Sequence, residues 1–184
     1  MKRKILILSV LAICIATLAA GTLAYYNAEI TAHNVITTGG VEIAVQEWAD
    51  KDKTQPFEDL MGVMPDATVT KIAEVKNTGA SDAWIRVRVD KAIKLAGAGE
   101  VDLDMVEVIV DRTNWTAGND GYYYYHSALK PGETTAPIFS EVTFNADMGN
   151  EYQNATATVD VVAQAVQMAN NGKTAMEAVG WPKA

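Results

Sequence analysis

The sequence has a single cysteine, Cys14, among its 184 residues. This cysteine lies in an uncharged apolar run, residues 5–23, which follows a basic N-terminus. If that run is removed as a signal peptide, the mature chain has no thiol, and neither a disulfide framework nor a thiolate metal site can form. A lysine-to-asparagine isopeptide bond stays open as a covalent cross-link, and only a mass measurement would reveal one.

Basic residues are also scarce, with 15 Lys and Arg against 23 Asp and Glu, for a formal charge of −8. Losing Lys2, Arg3 and Lys4 with a signal peptide would take this charge to −11. Phosphate groups are bound by a basic surface, which this chain lacks. We therefore expect no nucleic acid among its partners.

Motifs for catalysis are absent from the sequence. It contains two histidines, His33 and His126, and neither belongs to the His-Glu-x-x-His motif of zinc proteases. No serine lies in a Gly-x-Ser-x-Gly elbow. We predict no catalytic residue, no metal site and no cofactor, so the chain is not expected to be an enzyme.

The N-terminus has the layout of a signal peptide. Met-Lys-Arg-Lys precedes the apolar run, and the small residues Thr22 and Ala24 lie where a signal peptidase reads them. This pattern predicts cleavage before Tyr25, secretion of the mature chain, and no stable membrane anchor afterwards. The alternative is an uncleaved anchor, because about 20 apolar residues can span a bilayer.

Short runs of β-branched and aromatic residues recur between Gly, Pro, Asn and Asp turns, which is typical of strands. We predict strands near residues 41–48, 68–76, 83–91, 104–111, 121–126, 138–145 and 155–168. Such spacing predicts an all-β fold, an antiparallel β-sandwich or jelly roll over residues 41–184, with a short C-terminal helix near residues 173–179.

Alternation within these runs predicts which faces are buried. Ile85, Val87 and Val89 share one face, which we expect to be core. Arg86 lies on the other face, and Gln164 has the equivalent position in the last strand. Both are expected to face solvent.

The segment of residues 25–40 begins with a second alternating stretch, residues 25–33. One face of this candidate assembly strand carries Tyr26, Ala28, Ile30 and Ala32. It is either an ordinary first strand or a donor strand that completes the sheet of a neighbouring subunit. A head-to-tail exchange does not close on itself, so the second alternative predicts fibres.

Four consecutive tyrosines, residues 122–125, form the most unusual aromatic group. Alternation allows either Tyr123 and Tyr125 or the other two tyrosines to stand exposed. Together with Trp115, Tyr123 and Tyr125 form a candidate exposed aromatic surface for a glycan or another subunit. The alternative role for these rings is to fill the core and edge of the sandwich.

Several motifs together carry a family resemblance. They are Gly-Thr-Leu-Ala-Tyr-Tyr at 21–26, Ala-His-Asn-Val-Ile-Thr-Thr-Gly at 32–39, Ala-Trp-Ile-Arg-Val at 83–87, Leu-Lys-Pro-Gly-Glu at 129–133 and Gly-Trp-Pro at 180–182. With these motifs the chain resembles the TasA/camelysin family of secreted Gram-positive proteins over nearly its whole length.

The resemblance implies a jelly-roll domain in biofilm matrix fibres or at the cell surface, released by a SipW-type signal peptidase. It also implies a donor strand at the mature N-terminus, with the chain itself or homologous matrix subunits as partners. The predicted function is therefore that of an extracellular fibre subunit, major or accessory. A cell-surface adhesin and a camelysin-like metalloprotease are the alternatives.

Overall fold

The computed structural model describes residues 27–28, 34–37, 41–58, 60–61 and 64–182. The predicted signal peptide and its cleavage site at Thr22, Ala24 and Tyr25 lie outside these residues. So do Tyr26, Ile30, Ala32 and His33.

Eleven strands lie in the described part of the chain. They are β1 (Asn27–Ala28), β2 (Asn34–Thr37), β3 (Ile43–Trp48), β4 (Leu60–Met61), β5 (Thr68–Asn77), β6 (Ala83–Lys94), β7 (Val106–Val108), β8 (Trp115–Ala117), β9 (Tyr123–Tyr125), β10 (Phe139–Phe144) and β11 (Thr156–Gln167). Three short 3₁₀ turns cover Leu103–Met105, Asn150–Tyr152 and Ala175–Glu177.

Two sheets form the sandwich. One has four strands in the order β3-β5-β10-β7, and the other has five in the order β2-β11-β6-β9-β8, while β1 pairs with β4. The predicted all-β sandwich is confirmed. Among the described strands β2 and β11 are the one parallel pair, so the expected antiparallel pattern has one exception; the jelly-roll topology stays a prediction.

A long ribbon of β6 and β11 forms the centre of the five-stranded sheet. Its register runs through twelve pairs, from Ala83↔Gln167 to Lys94↔Thr156. Alternating β-branched and small residues build this ribbon, and Ile85, Val87 and Val161 on its inner face are completely buried. Burial of each such side chain contributes roughly 1.5–3 kcal/mol to folding.

The seven predicted strands all contain an observed strand, although two differ in extent. The predicted strand 104–111 is reduced to β7 because the chain first makes the 3₁₀ turn Leu103–Met105. Strand β8 was not predicted. The expected C-terminal helix is a single 3₁₀ turn, Ala175–Glu177, in which the Thr174 hydroxyl accepts a hydrogen bond from the Glu177 amide.

Candidate functional site

The N-terminal segment lies along one edge of the five-stranded sheet of its own chain. Strand β2 pairs in parallel with β11, in a register that runs from Asn34↔Val162 to Thr37↔Ala165. Strand β1 also lies against β11 while it pairs with β4. The described parts of the segment therefore fit an ordinary edge strand, and its exchange between subunits stays a prediction.

The β6–β11 ribbon is longer than the strands on either side of it. Strand β2 pairs with only four of the twelve residues of β11, at positions 162–165. Strand β9 pairs with only Arg86 and Val87 of β6. As far as the described strands show, residues 88–94 and 156–161 thus have a strand neighbour on one side only. An open edge of this kind is a template for strand addition.

A cluster of polar and aromatic side chains lies on the outer face of the same sheet. This Arg86 clamp consists of Arg86, Asp120, Tyr122, Tyr124, Gln164 and Trp181. The guanidinium carbon of Arg86 lies 4.0 Å from the centroid of the Tyr122 ring and 4.7 Å from that of Trp181. Cation–π contacts at desolvated sites contribute about 2 kcal/mol. Arg86 is 9% exposed, so the expectation that it faces solvent is wrong.

Hydrogen bonds fix the guanidinium in this position. Its Nε and Nη2 atoms donate to Gln164 Oε1, at 2.9 and 2.7 Å. The Nη1 atom donates to Asp120 Oδ2 at 2.9 Å and to the Tyr124 hydroxyl oxygen at 3.1 Å. Gln164 in turn donates from Nε2 to the Tyr122 hydroxyl, at 3.1 Å. The polar groups of the clamp thus satisfy one another, as burial requires.

The C-terminal segment covers the face that alternation predicts to be wet. Ala175 and Ala178 are buried against Trp84 and the clamp tyrosines, and Trp181 packs beside them. Trp84 also donates from Nε1 to the Gly172 carbonyl, at 3.2 Å. Gln164 consequently has no exposed surface, which corrects the second expectation of a solvent-facing residue.

The candidate exposed aromatic surface does not exist as predicted. Trp115 is 1% exposed, belongs to the core between the sheets, and donates from Nε1 to the Ala136 carbonyl at 3.2 Å. Tyr123 and Tyr125 are partly buried against the same core. The Tyr125 hydroxyl oxygen accepts a hydrogen bond from the Ala136 amide, at 3.1 Å. The prediction fails because both faces of β9 are covered.

Charge in the clamp is balanced by Asp120. Burial acts to raise the pKa of Asp120, but hydrogen bonds from the Tyr124 hydroxyl and the Tyr122 amide, together with the Arg86 charge, outweigh it and hold the pKa below its ordinary value. Burial, reinforced by the bond to Asp120, raises the pKa of Tyr124. The clamp is thus built around an ionised carboxylate and a neutral phenol.

Replacing Asp120 with Asn is expected to lower stability at neutral pH and to have little effect in acid. A lowered carboxyl pKa in the folded state contributes stability above the unfolded pKa of about 3.9, and this contribution is lost as pH falls through the folded value. Melting temperatures of Asp120→Asn and the unmutated protein should therefore differ at pH 7 and converge near pH 3. Asp52→Asn, in an exposed loop, is the control; an equal effect in both variants contradicts a specific role for the clamp.

Neither histidine is placed for metal chemistry in the structure as described. His126 is exposed, and its Nε2 lies 2.7 Å from the Thr116 hydroxyl oxygen. A search of the described residues finds no group of three His, Cys, Asp or Glu side chains that could hold a metal ion. The same residues contain no helix with the length and apolar character needed to cross a membrane.

The fold and site define an all-β sandwich whose N-terminal segment follows the edge of its own sheet. Comparison of the chain with models of protein families, with curated proteins and with solved structures yields no match.

Proposed function

We propose that this chain is a secreted structural protein, a biofilm-matrix or cell-surface fibre subunit that assembles by strand exchange. The observation that carries the proposal is the parallel placement of β2 at the edge of the five-stranded sheet, beside the incompletely paired β11. Residues 25–33 act as the donor strand and leave their own sheet edge to complete that of a neighbour.

The pairing of the N-terminal segment is weak enough to exchange. Strand β2 contributes four residues in a parallel register, and β1 contributes two residues to its pair with β4. Parallel pairing is slightly less stable per residue than antiparallel pairing. Exchange between identical subunits replaces the same contacts, so the protein concentration and the gain at the interface decide the balance.

The other parts of the proposal follow the family resemblance. A SipW-type signal peptidase releases the mature chain at Tyr25, the sandwich has jelly-roll topology, and the partners are the chain itself or homologous matrix subunits. The adhesin alternative loses support, because the aromatic side chains it depended on face the core. The metalloprotease alternative gains none from the contacts of His126.

A reversible lock on the N-terminal segment tests strand exchange. In the chain beginning at Tyr25, which has no cysteine, Asn34→Cys and Val162→Cys replace register partners on β2 and β11. Neighbouring strands bring such positions within disulfide distance. Oxidised protein should stay monomeric in light scattering and electron microscopy, and a reducing agent should restore fibres.

The control lock joins two strands that need not separate. Thr158→Cys and Ala92→Cys are register partners on β11 and β6, so this variant should assemble whether oxidised or reduced. Equal assembly of the oxidised and reduced Asn34→Cys/Val162→Cys protein would show that the N-terminal segment does not exchange.

A further inference from the structure

A buried pair of opposite charges lies inside the sandwich, on two neighbouring strands of the four-stranded sheet. The Lys71 side chain on β5 is 0% exposed, and the Glu47 side chain on β3 is 6% exposed. Lys71 Nζ and Glu47 Oε1 are 2.9 Å apart. Glu47 is the register partner of Ala73, a core residue two positions from Lys71, so the two charged side chains meet diagonally on one face.

Local irregularity in β5 places the lysine at this position. The register with β10 shifts between Phe139↔Ala73 and Glu141↔Thr70. Two residues of β5, Lys71 and Ile72, therefore lie opposite a single residue of β10, which defines a β-bulge. Bulges redirect side chains, and this one occurs where a charged side chain enters an apolar interior.

The surroundings of the pair are apolar on the side of the amine. Lys71 Nζ lies 4.6 Å from the centroid of the Phe57 ring, and Phe57 packs against the main core. Taking a carboxylate and an ammonium out of water costs several kcal/mol per ion. A low-dielectric site disfavours both charged forms and thus favours proton transfer to the neutral acid and neutral amine.

We propose that Lys71 and Glu47 are the partners of an intramolecular isopeptide bond that joins β5 to β3. The neutral Nζ amine attacks the Glu47 Cδ atom, the Nζ–Cδ bond forms, and the Cδ–O bond of the acid breaks. The departing hydroxyl takes one amine proton and leaves as water, so the reaction needs no oxidant or co-reactant. The protein becomes one water lighter and loses one positive and one negative charge.

Proximity is the main source of reactivity. Groups held in contact by a fixed framework react with effective molarities that reach about 10⁵–10⁸ M. The amide also removes two charges from the core, where their burial opposes folding. It would give a thiol-free mature chain a covalent cross-link.

Intact mass of the mature protein tests the bond. A chain beginning at Tyr25 should weigh about 18 Da less than its sequence predicts, by the loss of one water. Tandem mass spectrometry of a digest should find one branched peptide that contains residues 47 and 71. Lys71→Met and Glu47→Leu should both return the full sequence mass.

The Lys53–Glu74 ion pair provides a matched control. Glu74 is also on β5, but the Lys53 side chain is 40% exposed, so its amine is not desolvated in the same way. Lys53→Met should keep the 18 Da loss. Full sequence mass in the folded wild-type protein overturns the proposal, whatever the folding of the variants. So does an 18 Da loss that persists in Lys71→Met and maps to Asp120-Gly121, where an aspartate can dehydrate to a succinimide.

Discussion

A chain that begins at Asn34 is expected to fold as a monomer and to form no fibres, whereas a chain that begins at Tyr25 forms them. All buried residues of the main core lie at or beyond Val41, so removal of residues 25–33 leaves the sandwich core intact. It removes the proposed donor strand, whose main-chain hydrogen bonds would hold successive subunits together. The expected loss of assembly is therefore complete, while the melting temperature changes little.

Electron microscopy of the two purified chains, incubated alone, separates the outcomes. Fibres from the longer chain only would support a self-assembling subunit joined by its N-terminal strand. Monomers from both would favour an accessory subunit that needs a homologous partner. Fibres from the chain that begins at Asn34 would contradict the donor-strand proposal.

The sequence predicted the core strands because their alternation is regular. Ile85, Val87 and Val161 follow a period of two and are all completely buried. Strand β8 escaped prediction because it has only three residues, Trp115–Ala117, too few for a period to be recognised. Its tryptophan belongs to the core, although a short aromatic segment beside turn residues suggested a surface.

The Arg86 clamp could not be predicted from alternation. A period of two assigns residues to faces, but it does not say what covers a face. Here the second face is covered by the C-terminal segment, whose Ala175, Ala178 and Trp181 pack on it. The apolar residues in that short segment are the signal available in the sequence, but they have no strand pattern.

Lys71 and Glu47 show the opposite case, in which the pattern contained the answer. Lys71 has the same parity as Ala73 and Val75, both completely buried, so simple alternation places it in the core. Long charged side chains are seldom fully buried unless they are paired. The partner could not be identified without the strand order, because Glu47 lies on β3, which neighbours β5 in the sheet.

Trp115→Ala is expected to destabilise the fold by about 3–5 kcal/mol, the usual effect of emptying a buried aromatic site. The Trp115 ring centroid lies 4.9 Å from that of Tyr125, and its Nε1–H is bonded to the Ala136 carbonyl. The variant therefore loses apolar burial and a ring contact, and leaves the Ala136 carbonyl without this donor.

Urea unfolding of Trp115→Ala, followed by far-ultraviolet circular dichroism, measures this loss. Because domains are stable by only about 5–15 kcal/mol, the variant should unfold at a much lower urea concentration. Ile109→Ala is the matched control, since Ile109 is 74% exposed and surface substitutions change stability by about 0.5 kcal/mol or less. Similar midpoints for Trp115→Ala and the wild-type protein would return Trp115 to the surface, and with it the predicted aromatic binding face of the adhesin alternative.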